Sequence, residues 1–388
     1  MKGLILLVTV FFNATVFAQS TEYSIVVKDI DTQLPIENVT VVILKTKQIL
    51  LSNEDGKVTF ILNGASNVQV SETNYEDLML RWAALKENGF VVYLKNKNNK
   101  LDEVVLSKGS PQKILQKIVT NSIQKLAISC RLKVYVREFF LLDNKYSYYN
   151  DGLVNFQFTV NQKKANTTLL VEQNRSYGLL ETDVSADLKG YNLNNIMENY
   201  LNLKYFQPIL DAKAKKEYEF NVKVHPVNND YYVMTVTPLH ASRATADNFE
   251  IVYDPVKKLI IEFTIVTAPE NIAEMEENTK VGFKNITRST VKVNYRVDGL
   301  DYYLLSSNEE IGYDIILKDK TKKNIQVRNN FITTGFNRQK FTYKESDVFK
   351  EKTLFNKKNK ILTNYWDISG FTATDEEKAL IKALDFNM

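Results

Sequence analysis

The chain has 388 residues, 44% hydrophobic, 25% charged and 11% aromatic, and carries a formal net charge of +4. That near-balance excludes nucleic acid as a general electrostatic partner, and the composition excludes collagen-like and low-complexity chains. Two histidines (His225, His240) and one cysteine (Cys130) exclude a disulfide framework, a cysteine zinc site and most histidine-based catalysis.

Residues 1–18 read as a signal peptide. Met1-Lys2 is a short positive segment, Leu4 to Phe12 is apolar, and Val16-Phe17-Ala18 places small residues before a cleavage point at Ala18. The apolar run is too short to span a bilayer core of roughly 30 Å. Gln19 follows the cleavage point, where a lipoprotein needs Cys. No later segment reaches 18 uninterrupted apolar residues, so an exported protein without a transmembrane helix is expected. Cys130 then reads as a small buried apolar residue.

Residues 21–96 read as all-β. Tyr23–Val27, the β-branched run Val39–Leu44, Lys57–Leu62, Asn67–Val70 and Phe90–Leu94 are strand-like. Asn53-Glu54-Asp55-Gly56 is a turn, in which glycine supplies a positive φ, and Lys57–Leu62 is expected to complete a hairpin. Strands at this spacing predict a β-sandwich.

Three segments carry a resemblance: Val27-Lys28-Asp29, Pro35 to Val41, and Ser52 to Phe60. Together with Val70 to Glu76 they resemble the carboxypeptidase regulatory-like domain, a prealbumin- or CNA-B-like sandwich of the seven-strand type. Leu101 to Leu106 is similar to the segment that follows this domain in exported Bacteroidetes proteins, including TonB-dependent receptors. The resemblance implies a stabilising or docking module. It does not imply a peptidase, because a metallocarboxypeptidase needs Glu three residues after a zinc-binding His. His225 is followed by Pro-Val-Asn and His240 by Ala-Ser-Arg.

Residues 97–110 read as a polar linker. Ser110-Pro111 opens a helix, with Ser as N-cap and Pro at the first helical position. Ile114, Leu115, Ile118, Val119, Ser122 and Leu126 form one packing stripe. From Arg131 to about Lys360 strand signals dominate: Lys133–Phe140, Leu153–Val160, Thr168–Glu172, Glu217–Val224, Tyr231–Thr237, the hairpin Phe249–Phe263, Val291–Tyr295, Tyr302–Ser306, Asp314–Leu317 and Asn324–Arg328. A short helix is expected over Leu193–Leu203. Thr374-Asp375-Glu376-Glu377 is a capping box that starts a closing helix.

This order predicts that residues 111–388 form an α+β domain, a large curved antiparallel sheet of half-barrel type with helices on its concave face. The Phe249–Phe263 hairpin, Trp366 and the Thr-Asp-Glu-Glu helix make the layout similar to the half-barrel of periplasmic lipoprotein carriers. An outer-membrane barrel is the alternative, opposed by strands that read as short and charged.

No nucleophile elbow or phosphate-binding loop is present, and Asp367-Ile368-Ser369-Gly370 is not an aspartic-protease triplet. Arg137-Glu138 is a tempting pair, but neighbours on a strand face opposite ways, so each is expected to pair structurally. Asp29 and Asp31 read as turn residues rather than calcium ligands. Glu274, Glu276 and Glu277 read as a solvated face, and Lys350 to Lys360 as a solvated loop or a peripheral contact with acidic lipid. No catalytic, cofactor-binding or metal-ligating residue is assigned, and no cofactor is expected. The sequence therefore points to a non-enzymatic, exported envelope protein that binds a lipid or other apolar ligand, or an envelope partner. The alternatives are a carboxylate-based hydrolase of the periplasm and an outer-membrane or TonB-receptor-associated component.

Overall fold

The structure is a computed structural model. It describes residues 21–72, 74–97, 110–161, 164–178, 192–226, 228–239, 247–267, 276–278, 282–317, 320–339, 342–351, 353–354 and 372–385. The expected signal peptide, most of the expected linker, His240, Glu274, Asp367-Ile368-Ser369-Gly370, Trp366 and most of Lys350 to Lys360 lie outside the described residues.

The N-terminal unit is a sandwich of two sheets. One holds β4 (Lys57–Leu62), β1 (Thr21–Asp29) and β7 (Val91–Leu94), and the other β3 (Gln48–Leu51), β2 (Thr40–Ile43), β5 (Val68–Ser71) and β6 (Leu78–Leu80), in those orders. Ile25, Val27, Val41, Ile43, Phe60, Val68 and Val70 are fully buried between the sheets. A short helix, α1 (Trp82–Glu87), precedes β7. The expected hairpin partner is corrected: β2 pairs with β3, whereas β4 pairs with β1 in the opposite sheet. The tight reversal falls at Lys47, whose positive φ of 56° and N–H to the Ile43 carbonyl close the β2–β3 turn. Asn53–Gly56 instead arches between the sheets. Gly56 has a φ of +70°, and a Cβ there would lie 2.3 Å from the Val27 carbonyl oxygen, so only glycine fits.

Helix α2 (Pro111–Leu126) then leads into the large sheet. The expected cap is present: Ser110 accepts from the Lys113 N–H, and Leu115, Ile118, Val119, Ser122 and Leu126 are buried. Ten strands follow, all antiparallel to their neighbours: β8 (Cys130–Leu142), β9 (Lys145–Asn161), β10 (Lys164–Gly178), β11 (Tyr218–Val224), β12 (Tyr232–Pro238), β13 (Asp247–Asp254), β14 (Leu259–Thr267), β16 (Gly282–Asp298), β17 (Asp301–Leu317) and β18 (Lys322–Asn337). Their spatial order is β10-β9-β8-β18-β17-β16-β14-β13-β12-β11, and the short β15 (Glu276–Asn278) pairs with β16. The sheet is large, curved and open, not a barrel.

Several strands are longer than their sequence signals, although β11 and β12 run only seven residues each. β9, β16 and β17 each run 17 residues, and Tyr302–Ser306 and Asp314–Leu317 are two ends of one strand. Shortness therefore holds at β11 but fails at β16, and the open order of the sheet is the firmer ground against a barrel.

Alternation along β8 defines the two faces. Leu132, Val134, Val136 and Phe140 join the main core, which is completed by α2, by α3 (Leu193–Leu201) and by Phe206 and Ile209 just beyond it. We term this the helix face. The opposite face carries Tyr135 and Phe139. Leu51 of the sandwich packs on Tyr135, Leu153 and Ile332. The closing helix, here α4 (Asp375–Asp385), sets Leu380 and Ile381 against Phe139, Leu141 and Tyr149. Helices thus lie on both faces, not on one. With both sides covered, β8 is buried continuously from Val134 to Leu141, which explains its weak alternation in sequence. Beyond β10, Val348 bridges to Leu170 and the Phe349 N–H bonds the Leu169 carbonyl, so this edge is covered rather than left open to another chain.

Candidate functional site

A polar row crosses the helix face. Pairing places Ser176 beside Asn150, Asn150 beside Glu138, Glu138 beside Asn329 and Asn329 beside Glu309. At about 4.8 Å between strands, the five residues span roughly 19 Å. Above and below the row the same strands turn Val136, Phe140, Val327 and Phe331 into the core. Glu138, Asn150 and Asn329 are fully buried and Glu309 is 6% exposed.

The row is only partly satisfied. Asn150 donates from Nδ2 to Glu138 Oε2. Glu309 Oε2 accepts from the Tyr200 hydroxyl at 3.1 Å and from the Tyr205 hydroxyl at 3.3 Å, which fastens the α3 region to β17. Burial pushes the Glu309 carboxyl up to about 6, restrained by those two phenols. Asn329 is different: neither its Nδ2 nor its Oδ1 meets a hydrogen-bond partner among the described residues. An unmade bond at a buried polar group costs about 1–3 kcal/mol, so this amide marks where the interior is incomplete.

The opposite face carries a second buried cluster. Asp151 accepts two bonds from Arg175, at 2.8 and 2.9 Å, and one each from the Tyr135 and Tyr149 hydroxyls. Burial pushes both phenols upward, so they remain donors. Arg137, 2% exposed, reaches past Tyr135 to pair with Glu377 of α4 at 2.9 Å. Every carboxylate and guanidinium here has a partner. The cluster is a clamp between sheet and tail.

Arg137 and Glu138 therefore face opposite ways and pair separately, as strand geometry requires. Asp29 closes a turn: its Oδ1 accepts from the Asp31 and Thr32 N–H groups and its Oδ2 from the Tyr75 hydroxyl. These bonds, led by that from the Thr32 N–H, hold its carboxyl below the usual range. His225 Nδ1 accepts from the Asn228 N–H and organises the β11–β12 turn, and burial lowers its basicity. Burial pushes the Cys130 thiol up to about 12, which leaves it inert. Among the described residues no group of three His, Cys, Asp or Glu is placed to hold a metal. An open polar cleft of about 400 Å³, lined by Glu76, Lys95, Asn96, Lys97 and Asn228 to Asp230, lies between the sandwich and the β11–β12 turn.

Sequence reasoning missed the row. Its expected strands stop at Arg328, start at Leu153, stop at Glu172 and break at Ser306, so Asn329, Asn150, Ser176 and Glu309 all fell just outside them. Polar residues within a strand read as loop signals. The usable signal was parity, because Asn329 shares its alternation phase with Val327 and Phe331.

No protein-family model and no curated protein matches the chain. Among solved structures it is similar to a lipovitellin chain from a study of lipid–protein interactions, at 13% identity over 56% of this chain and 26% of that one, with a TM-score of 0.25. It is also similar to a LolA-superfamily protein from Nitrosomonas europaea, at 10% identity over 58% of this chain and 94% of that one, with a TM-score of 0.22. The chain thus spans about a quarter of the lipovitellin chain. At these scores neither likeness carries weight for fold or function.

Proposed function

We propose that the protein is a non-enzymatic, exported component of the cell envelope that holds an amphiphilic ligand between the large sheet and its helices. In this reading the sandwich is a carboxypeptidase regulatory-like docking module seated on the other side of the sheet. The observation that carries the reading is Asn329, a fully buried amide with both polar atoms unpartnered among the described residues, set in a polar row inside an apolar core. A ligand with an apolar body and a polar end completes both surroundings at once. The surrounding helix face, with Phe156, Phe263, Phe331, Leu115 and Met197, supplies the apolar wall, and entry of the ligand requires α2 or the α3 region to shift outward.

A carboxylate-based hydrolase is less well supported. Glu138 and Glu309 lie on one face, two strand spacings or about 10 Å apart in backbone, within the range of inverting glycosidase pairs. Both are buried beneath helix-face residues, and Glu309 is engaged by Tyr200 and Tyr205. Such an arrangement suits retention better than turnover. No described helix is long and apolar enough to cross a membrane.

The test is native purification from the periplasmic fraction with mass spectrometry of whatever co-purifies. A stoichiometric amphiphile, lost in Asn329→Leu, is the expected result. Ligand-free protein whose Asn329→Leu variant is simply more stable would overturn the reading, since the amide would then be an internal defect.

A further inference from the structure

We propose that the protein docks on an anionic phospholipid surface through two hairpin tips at one end of the large sheet, with Val256 and Leu300 entering the head-group layer. Among the described large hydrophobic residues these two are the most exposed, at 87% and 85%, and the next, Leu34 and Met79, stand at 64%. Val256 lies in the turn between β13 and β14, and Leu300 in the turn between β16 and β17. Strands β14 and β16 are neighbours with Glu262 opposite Asn294, so the start of one and the end of the other share one end of the sheet. The Tyr302 hydroxyl, just past Leu300, donates to the Ile260 carbonyl at 2.6 Å and ties the two hairpins together.

A single exposed hydrophobic residue needs no explanation, and turns favour Gly, Asn and Asp. Two aliphatic side chains at neighbouring tips are a different case, because both stand beyond the same end of the sheet. Their surroundings are basic. Lys257, its side chain 58% exposed, and the exposed Lys258 follow Val256 directly. Asn121 of α2 donates to the Lys257 and Lys258 carbonyls at 2.9 and 3.1 Å. This brings the exposed Lys125, one helical turn further along the same face, to the tip. At the other tip Arg338 donates to the Leu300 carbonyl, and Arg296 precedes the turn on β16. Against these five cations stand Asp254, Asp298 and Asp301. Asp254 Oδ1 accepts from the Val256 and Lys257 N–H groups, and Asp301 pairs with Arg338. The next turn, between β11 and β12, carries Asp230 and bounds the basic zone.

The shape selects the partner. A protein surface needs two matching pockets to receive two separate protruding side chains, whereas a fluid bilayer admits apolar protrusions of any shape. Apolar insertion and the attraction of lysines to acidic head groups then act together. No residue of the buried polar row takes part, so the docking is independent of what the interior holds.

The test is flotation of the full mature chain with vesicles of phosphatidylcholine, alone or with about three parts in ten phosphatidylglycerol. Binding to the acidic vesicles should be at least about tenfold tighter, at about fivefold for each unopposed lysine, and should weaken as salt is raised. Val256→Ser with Leu300→Ser should lower it at least about tenfold. Lys257→Gln with Lys258→Asn should remove most of the preference for acidic vesicles; Asn is chosen because it tolerates the positive φ of 56° at that position. Both double variants should keep the wild-type thermal midpoint, since the replaced side chains are solvated. Cys130 is buried, so Val256→Cys and Met79→Cys each take a nitrobenzoxadiazole label at one site. Its emission should rise on acidic vesicles at residue 256 and stay unchanged at residue 79.

Absence of vesicle binding, binding indifferent to the tip changes, or a label response at residue 79 without one at residue 256 would overturn the docking surface. Self-association in lipid-free solution, abolished by Val256→Ser with Leu300→Ser, would overturn it too, because the tips would then meet a second copy of the chain.

Discussion

Asp151 and Asp301 each meet an arginine, and the difference in their surroundings sets what each pair contributes. The Asp151 side chain is fully buried and that of Arg175 is 20% exposed. The Arg338–Asp301 pair is 55% and 29% exposed. Removing one partner of a buried pair strands the other charge, whereas an exposed pair is screened. Arg175→Met should therefore cost about 3 kcal/mol in urea unfolding, near the low end of the buried range because Tyr135 and Tyr149 still donate to Asp151. Arg338→Met should cost less than about 1 kcal/mol. Glu309 carries a separate signature in pH. Its carboxyl is raised from 4.5 to about 6 in the folded protein, so the native state binds a proton more tightly than the unfolded chain. Its contribution is complete below about pH 4.5 and is lost as pH rises through 6. A shift of this size is worth about 2 kcal/mol. The stability difference between wild type and Glu309→Gln, measured from pH 4 to 8, should move by that amount against the wild type and then level off. A flat difference would mean that Glu309 titrates normally. The cap at Ser110 and the buried stripe Leu115, Ile118, Val119 were legible because local spacing decides them. Asn329 and Glu138 were not, because 191 residues separate them and only strand order makes them neighbours.

The closing helix α4 depends on one side chain doing two jobs. Glu377 accepts from the Thr374 N–H at 2.9 Å while the Thr374 Oγ1 accepts from the Glu377 N–H at 3.1 Å, a complete capping box. The same Glu377 Oε2 pairs with Arg137. Thr374→Ala should cost about 1 kcal/mol. Combined with Glu377→Gln, the losses should fall short of additivity, because each single change already breaks or weakens one arm of the same reciprocal box. A double-mutant cycle in chemical unfolding measures the coupling, and strict additivity would show that cap and clamp act independently. The box was readable from Thr-Asp-Glu-Glu alone. The face that α4 takes was not, since Leu380 and Ile381 suit any apolar surface and the buried Arg137 selects this one. A second element-level constraint sits in β9, where a Cβ on Gly152 would lie 2.7 Å from Leu354 Cδ1 and 2.9 Å from the Gln173 carbonyl oxygen. The leucine tip can swing away but the backbone oxygen cannot, so Gly152→Ala should destabilise by about 1–3 kcal/mol, read as a lower thermal midpoint.

The sandwich and the large sheet meet through strand β3, and its two leucines divide the work. Leu50 points into the sandwich core at 2% exposure, while Leu51, at 1%, packs on Tyr135, Leu153 and Ile332 of the sheet. A strand alternates its faces, so an isolated sandwich would turn Leu51 into water. Its burial is what joins the two units. A second tie runs from the Thr59 N–H of β4 to Thr372 Oγ1, 2.7 Å away, at the approach to α4. Length and strand spacing indicated two β units, but nothing local distinguishes Leu51 from Leu50, which is why the docked arrangement could not be read in advance. Burying one leucine is worth about 1.5–3 kcal/mol, and placing a carboxylate against Tyr135 and Ile332 adds a desolvation cost. Leu51→Asp should therefore spare the sandwich core and open the seam. In scanning calorimetry the wild type should unfold in one transition and Leu51→Asp in two, the earlier belonging to the large sheet, whose Tyr135, Leu153 and Ile332 lose their cover. Leu50→Asp should instead abolish the sandwich transition itself. If Leu51→Asp still melts in a single, merely shifted transition, the units are coupled mainly through Thr372 and α4, and Thr372→Val should then be the substitution that splits them.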